Sequence, residues 1–150
     1  MLFRSDIITQ VVSLTAFIPL LIGTGGNVGA QSSTVVIRGL NIDRIRSGPF
    51  MVIQREAIAG ALLGLMLAVM VFAGTALFNY PLTVSISVSI SLLAISILAS
   101  VAGASLPFLF SSLGFDPALM SAPFITTAVD MLGVLTYFMV ARFMLSYLGT

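Results

Sequence analysis

The sequence predicts an all-α fold: a polytopic membrane helix bundle of about four transmembrane helices, the first broken at a Gly-rich segment. Three observations carry this prediction. Of the 150 residues, 59% are hydrophobic and only 7% are charged, where soluble domains carry about 25% charged residues. The mean hydropathy is +1.17. The apolar residues gather in four stretches, each long enough to cross the hydrocarbon as a helix of roughly 20 residues, and polar or turn-forming breaks separate them. A soluble globule is excluded, and residues 1–150 read as one integral membrane pore domain.

The first stretch runs from about Ile7 to Leu40 and is too long for one straight crossing. Gly23-Thr24-Gly25-Gly26-Asn27-Val28-Gly29 interrupts it. The expectation is a helix, a loosened Gly-rich centre and a second helical piece from about Gln31. The second stretch is Ala57 to Phe78, ended by the tight reversal Asn79-Tyr80-Pro81. The third, about Leu82 to Phe110, opens with the strict alternation Thr83-Val84-Ser85-Ile86-Ser87-Val88-Ser89-Ile90-Ser91. That pattern suits a strand, but an open strand in lipid leaves backbone groups unpaired, and Leu92-Leu93-Ala94-Ile95 ends the alternation. Helix is therefore expected, with serines spread round it to bond adjacent helices. Ser111 to Pro123 reads as a loop in which Asp116 caps a short helix beginning at Pro117. The fourth stretch is Phe124 to Leu145.

Charge sets the expected orientation. Arg38, Arg44, Arg46 and Arg55 flank the Asn41–Glu56 loop, which should then be cytoplasmic, with both termini outside if there are four spans. Arg4 and Arg142 fall on the outer side. The N-terminus does not read as a signal peptide, because Asp6 follows Arg4 and no small-residue cleavage site precedes the further spans. No basic cluster suggests nucleic acid. No internal repeat supports an inverted-repeat transporter within one chain.

Several chemistries are excluded. Without His there is no nucleophile–His pair, and without Cys no thiolate metal site. Without Lys the glycines of Gly23–Gly29 cannot form a phosphate loop. An intramembrane aspartyl protease needs two facing carboxylates, and only Asp130 lies deep in a span. An enzyme is not expected.

Asp130 carries the functional signal. It sits in the fourth apolar stretch, and the nearest basic residue on that segment, Arg142, is roughly 18 Å away along a helix. An ionised carboxylate in hydrocarbon costs about 3 kcal/mol or more, so such residues face a wet path or a partner. Asp130 reads first as a cation site, with a structural hydrogen bond to a neighbouring helix as the alternative. Thr126, four residues earlier, shares its helical face and would add an oxygen. Thr127 is expected to bond back to its own helix. In Gly23–Gly29, non-helical backbone at membrane depth would free carbonyls to face a permeating cation; a kink for packing is the alternative. Gly60, Gly64 and Ala68 form a small-residue stripe, read as internal packing in preference to a docking face.

The sequence resembles the transmembrane domain of the MgtE family of magnesium channels. Three blocks carry the likeness: Pro19-Leu20-Leu21-Ile22-Gly23-Thr24-Gly25-Gly26-Asn27-Val28-Gly29-Ala30-Gln31-Ser32-Ser33-Thr34 with Ile37-Arg38-Gly39-Leu40; Arg55-Glu56 with Gly60 and Gly64; and Leu106-Pro107-Phe108, Gly114-Phe115-Asp116-Pro117-Ala118 and Pro123-Phe124-Ile125-Thr126-Thr127-Ala128-Val129-Asp130. The resemblance implies a homodimer whose central pore is lined by the Gly-rich helix and the last helix. It puts the principal ion-binding carboxylate at Asp130 and pore-lining groups at Gly23, Gly26, Asn27, Thr34 and Thr126. Ala30 stands where family members often carry Asn or Ser, so one polar contact is missing. The likeness covers the last four of the family's five spans. A first span and the cytoplasmic sensor domains would come from another polypeptide or a longer chain, or the short form is ungated or inactive.

The leading expectation is therefore a channel or transporter pore for hydrated Mg²⁺. Mg²⁺ keeps several waters and binds through one or two carboxylates, and a two-fold axis would bring two Asp130 side chains together. The sequence does not separate Mg²⁺ from Mn²⁺, Co²⁺ or Ca²⁺. The competing expectation is a non-conducting or accessory membrane subunit that assembles with a full-length relative.

Overall fold

The computed structural model describes residues 12–42 and 48–148. The expected start of the first span at Ile7, and Arg4, Asp6, Asp43, Arg44 and Arg46, lie outside the described residues. Four long helices follow one another: α1 (Ile18–Asn41), α2 (Pro49–Leu77), α3 (Leu82–Ser112) and α4 (Pro117–Leu148). The stretches long and apolar enough to cross a membrane are Val12–Asn41, Pro49–Leu77, Leu82–Ser112 and Pro123–Met144. The chain is thus a multi-pass, all-α membrane protein.

Local chemistry sets each boundary. Pro19 has no N–H to give the Thr15 carbonyl, and Phe17 tightens into a turn in which its own N–H donates to Leu14 O at 3.2 Å. α2 starts at Pro49 in the first helical turn, where the missing N–H costs nothing. It ends with Asn79 in the left-handed region (φ 55°), the Tyr80 N–H donating to Thr75 O at 3.0 Å and the Asn79 N–H to Ala76 O at 3.2 Å. These paired bonds absorb two orphan carbonyls of the last turn. α3 ends the same way through Gly114 (φ 79°), with the Phe115 N–H donating to Phe110 O at 3.0 Å.

α3 is the central helix. It packs against α1, α2 and α4, whereas α2 packs almost wholly on α3. Val84, Val88, Leu92 and Ile95 of α3 meet Leu21 of α1 and Tyr137 and Ala141 of α4 in one core cluster. Val28, Ala99, Ile125 and Val129 form a second cluster nearer the other end. The outer face of α2, including Leu62, Leu65, Met66, Val69 and Met70, is exposed and suited to lipid.

Four expectations are corrected. First, α1 is unbroken through Gly23–Gly29, and the interruption lies at Phe17. Glycine permits loss of helix without forcing it, and here close packing rewards keeping the helix. A Cβ at Gly25 would lie 2.9 Å from Ile95 Cγ2, and one at Gly29 would lie 3.0 Å from Val129 Cγ2 and 3.3 Å from the Ala99 carbonyl. A Cβ on Gly103 would run into the Gly29 carbonyl group and lie 2.8 Å from its carbon, so α1 and α3 cross backbone to backbone.

Second, the α3 hydroxyls that find a partner turn to their own helix, and those of Ser89 and Ser96 have none among the described residues. Ser87 donates to Thr83 O at 2.7 Å, Ser91 to Ser87 O at 2.6 Å and Ser105 to Val101 O at 2.6 Å. The serines serve α3 by being small on every side. Third, the segment expected as loop up to Pro123 is largely helix, since α4 begins at Pro117 and runs through Pro123. Asp116 does cap it, its Oδ1 accepting the Ala118 N–H at 2.8 Å. Fourth, α2 begins well before Ala57, at Pro49.

The Gly60–Gly64–Ala68 stripe packs internally, as expected. A Cβ at Gly60 would lie 2.7 Å from Ser96 O, and one at Gly64 would lie 2.8 Å from Ser96 Cβ.

Candidate cation site

The buried face of α1 carries Leu21, Gly25, Val28, Gly29, Ser32, Ser33 and Val36. With that face turned inward, the opposite side of the helix is left exposed, and it is polar. Gly23, Asn27, Gln31 and Thr34 lie on it at spacings of four, four and three residues, the repeat of a single helical face. Asn27, Ala30, Gln31, Thr34 and Val35 line an open groove of about 600 Å³.

α4 packs beside α1. Its Ile125 and Val129 pack into the glycine notches of α1, and that contact sets the height and rotation of the residues between them. Asp130 follows Val129 directly and is half-buried. A Cβ on Gly26 would lie 3.9 Å from Asp130 Oδ1, so the carboxylate sits over a helix surface with no side chain. No described residue gives the Asp130 carboxylate a hydrogen bond or an ion pair. The alternative of a structural hydrogen bond to a neighbouring helix therefore has no donor among the described residues. Nor do three acidic, His or Cys side chains converge anywhere among them, so Asp130 is not part of a direct-ligand cage.

One turn or so away, a second cavity of about 300 Å³ opens between α1 and α4, lined by Ala30, Ser33, Thr34, Ile125 and Thr126 among others. The Thr34 hydroxyl donates to Ala30 O at 2.8 Å, and Thr126 and Thr127 both donate to Pro123 O, at 3.1 and 3.0 Å. With its proton engaged, the Thr34 hydroxyl keeps oxygen lone pairs for water or a cation shell. Ser33, buried at the same cavity, has no partner for its hydroxyl among the described residues.

The six sequence-predicted residues thus fall into related groups. Gly26 and Asp130 face each other. Thr34 and Thr126 share the cavity between α1 and α4. Asn27 and Thr34 line the open groove. Gly23 stands on the exposed face, where an added Cβ would meet nothing within 4 Å. Because α1 is continuous here, the carbonyls of the Gly-rich block are engaged in the helix, and oxygens freed by a broken backbone are not on offer. Gln31 and Ser33 were not singled out from sequence. For Gln31 the signal existed, since it completes the Asn27–Thr34 repeat; for Ser33 it did not.

Comparison with known proteins identifies the family. The family model for MgtE, described as a divalent cation transporter, matches residues 18–140. The chain is 39% identical over 141 residues to the magnesium transporter MgtE of Thermus thermophilus, covering 93% of this chain and 31% of that protein. It is 37% identical over 145 residues to the magnesium transporter MgtE of Enterococcus faecalis, covering 95% and 32%. For the magnesium transporter MgtE of Bacillus subtilis the identity is 33% over 140 residues, covering 93% and 31%. The chain spans about a third of the length of these curated relatives. With most of its length matched by the family model and by relatives above 30% identity, the chain belongs to the MgtE family of divalent cation transporters.

Proposed function

We propose that two copies of this chain pair through the polar face of α1 and the adjoining edge of α4 to line a pore for a hydrated divalent cation, with Mg²⁺ as the transported ion. The observation that carries the reading is the Asp130 carboxylate, half-buried over Gly26 and without a protein partner among the described residues. Left against lipid, a bare carboxylate costs about 3 kcal/mol or more. On the polar stripe beside it, the Asn27 and Gln31 side-chain amides are groups that lipid cannot solvate. A second copy with its own stripe encloses both in a wet path.

Two Asp130 carboxylates across a two-fold axis supply the charge, and the amide and hydroxyl oxygens accept from the ion's water shell. This suits Mg²⁺, which dehydrates reluctantly, and the relatives' names support Mg²⁺ over Mn²⁺, Co²⁺ and Ca²⁺. The connection between α1 and α2 is cytoplasmic and both termini are outside in this reading.

Asp130→Asn in proteoliposomes tests it. Mg²⁺ flux should fall at least about tenfold, because the substitution removes the only deep charge while keeping the side-chain shape. Wild-type flux in that variant, with dimerisation intact, overturns the proposal. A second reading is an accessory or non-conducting subunit that assembles with a full-length relative. Growth rescue of a magnesium-requiring strain by this chain alone rejects that reading. Rescue only with a co-expressed full-length relative supports it.

A further inference from the structure

Away from the polar groove, Leu14, Tyr137, Phe138 and Ala141 form the walls of a cavity of about 420 Å³, with Thr15, Arg142 and Ser146 also lining it. It lies where the helical turn before Phe17 meets the last third of α4. We propose that this cavity is a binding site for an anionic phospholipid, with the phosphate on the Arg142 guanidinium and an acyl chain against Leu14, Phe138 and Ala141.

The donors at the cavity decide the ligand's charge. The Tyr137 hydroxyl donates to the Leu14 carbonyl, Thr15 to Val12 O at 2.7 Å, and Ser146 to Phe143 O at 3.0 Å. Arg142 is exposed, and no described residue gives it an ion pair or hydrogen bond. The one lining side chain with unspent donors is thus a planar cation that takes phosphate through two parallel N–H bonds. Its depth fits as well. Arg142 lies two residues before the end of the span Pro123–Met144, where an Arg reaches headgroups while its stem stays on apolar surface. Basic pockets between membrane helices recognise anionic headgroups in this way. The site is also separate from the cation groove, because twelve residues of helix turn Arg142 about 120° away from the direction of Asp130.

The chain contains no Trp, so one introduced indole reports on the cavity alone. The full chain carrying Phe138→Trp would be reconstituted with phosphatidylglycerol or phosphatidylcholine brominated on the acyl chain, and indole quenching measured against lipid fraction. The expected result is half-quenching at about five-fold less brominated phosphatidylglycerol than phosphatidylcholine, the weight of one Arg near an anionic lipid. Adding Arg142→Gln should abolish that preference, and adding Arg142→Lys should keep part of it. Equal quenching by the two lipids in the Arg142 background overturns the proposal and leaves annular lipid only. A preference that survives Arg142→Gln overturns it too, as does the absence of quenching by either lipid, which would mean that a second protein segment fills the cavity.

Discussion

The crossing of α1 over α3 can be tested with one methyl group. At Gly103, Ala would place its Cβ 2.8 Å from the Gly29 carbonyl carbon and 2.9 Å from its Cα, with the carbonyl oxygen nearer still. Both partners are backbone, so no rotamer change relieves the clash. The helices must separate by about 0.6 Å merely to bring the carbon contact to an ordinary 3.4 Å, and by more for the oxygen. Overpacking of this kind costs about 1–3 kcal/mol, and the better helix propensity of Ala over Gly returns about 1 kcal/mol. The expected net loss is about 0–2 kcal/mol, which puts Gly103→Ala about 1–3 kcal/mol below a control that only gains propensity. Gly74→Ala is the control: nothing lies within 4 Å of its Cβ position, so only the propensity gain applies. Denaturant-induced unfolding in mixed micelles, followed by circular dichroism, measures both. If Gly103→Ala is as stable as Gly74→Ala, the backbone crossing is not what holds α1, and the reasoning about the groove's geometry fails with it.

Two further outcomes are expected in the same assay. Tyr137→Phe removes the hydroxyl that donates to the Leu14 carbonyl, and should cost about 0.6 kcal/mol and at most about 1.7, the range of such bonds in membrane bundles; the Phe17 N–H still donates to that carbonyl, so a larger loss would point to a wider rearrangement. Asn79→Val forces a β-branched residue into φ 55°, at about 1–2 kcal/mol, whereas Asn79→Gly should be neutral or slightly stabilising; equal stability of the two would refute the left-handed cap.

Much of this architecture was legible from the residues. Four apolar stretches, the turn at Asn79–Pro81, the Asp116 cap and the isolation of Asp130 follow from short-range chemistry, and each has its counterpart in the fold. The Gly-rich block was not legible. Glycines loosen a lone helix and tighten a packed one, and Gly25 and Gly29 are decided by Ile95, Ile125 and Val129 on distant segments. Pro123 misled in the same way, marking a boundary to a local reading although the helix carries on through it. Pairing the predicted Thr34 with Thr126 required the α1–α4 contact, which no spacing reveals.

The dependence of α2 on α3 has a consequence for biogenesis. A four-residue reversal joins the two helices, and Gly60 and Gly64 seat against Ser96 and Ser100 without help from the rest of the chain. They are equipped to leave the translocon as a ready-made hairpin. α1 and α4, separated by the 75 residues 42–116, can close on each other only after synthesis has reached the last helix. The face on which Asp130 of α4 sits over Gly26 of α1 is therefore assembled last.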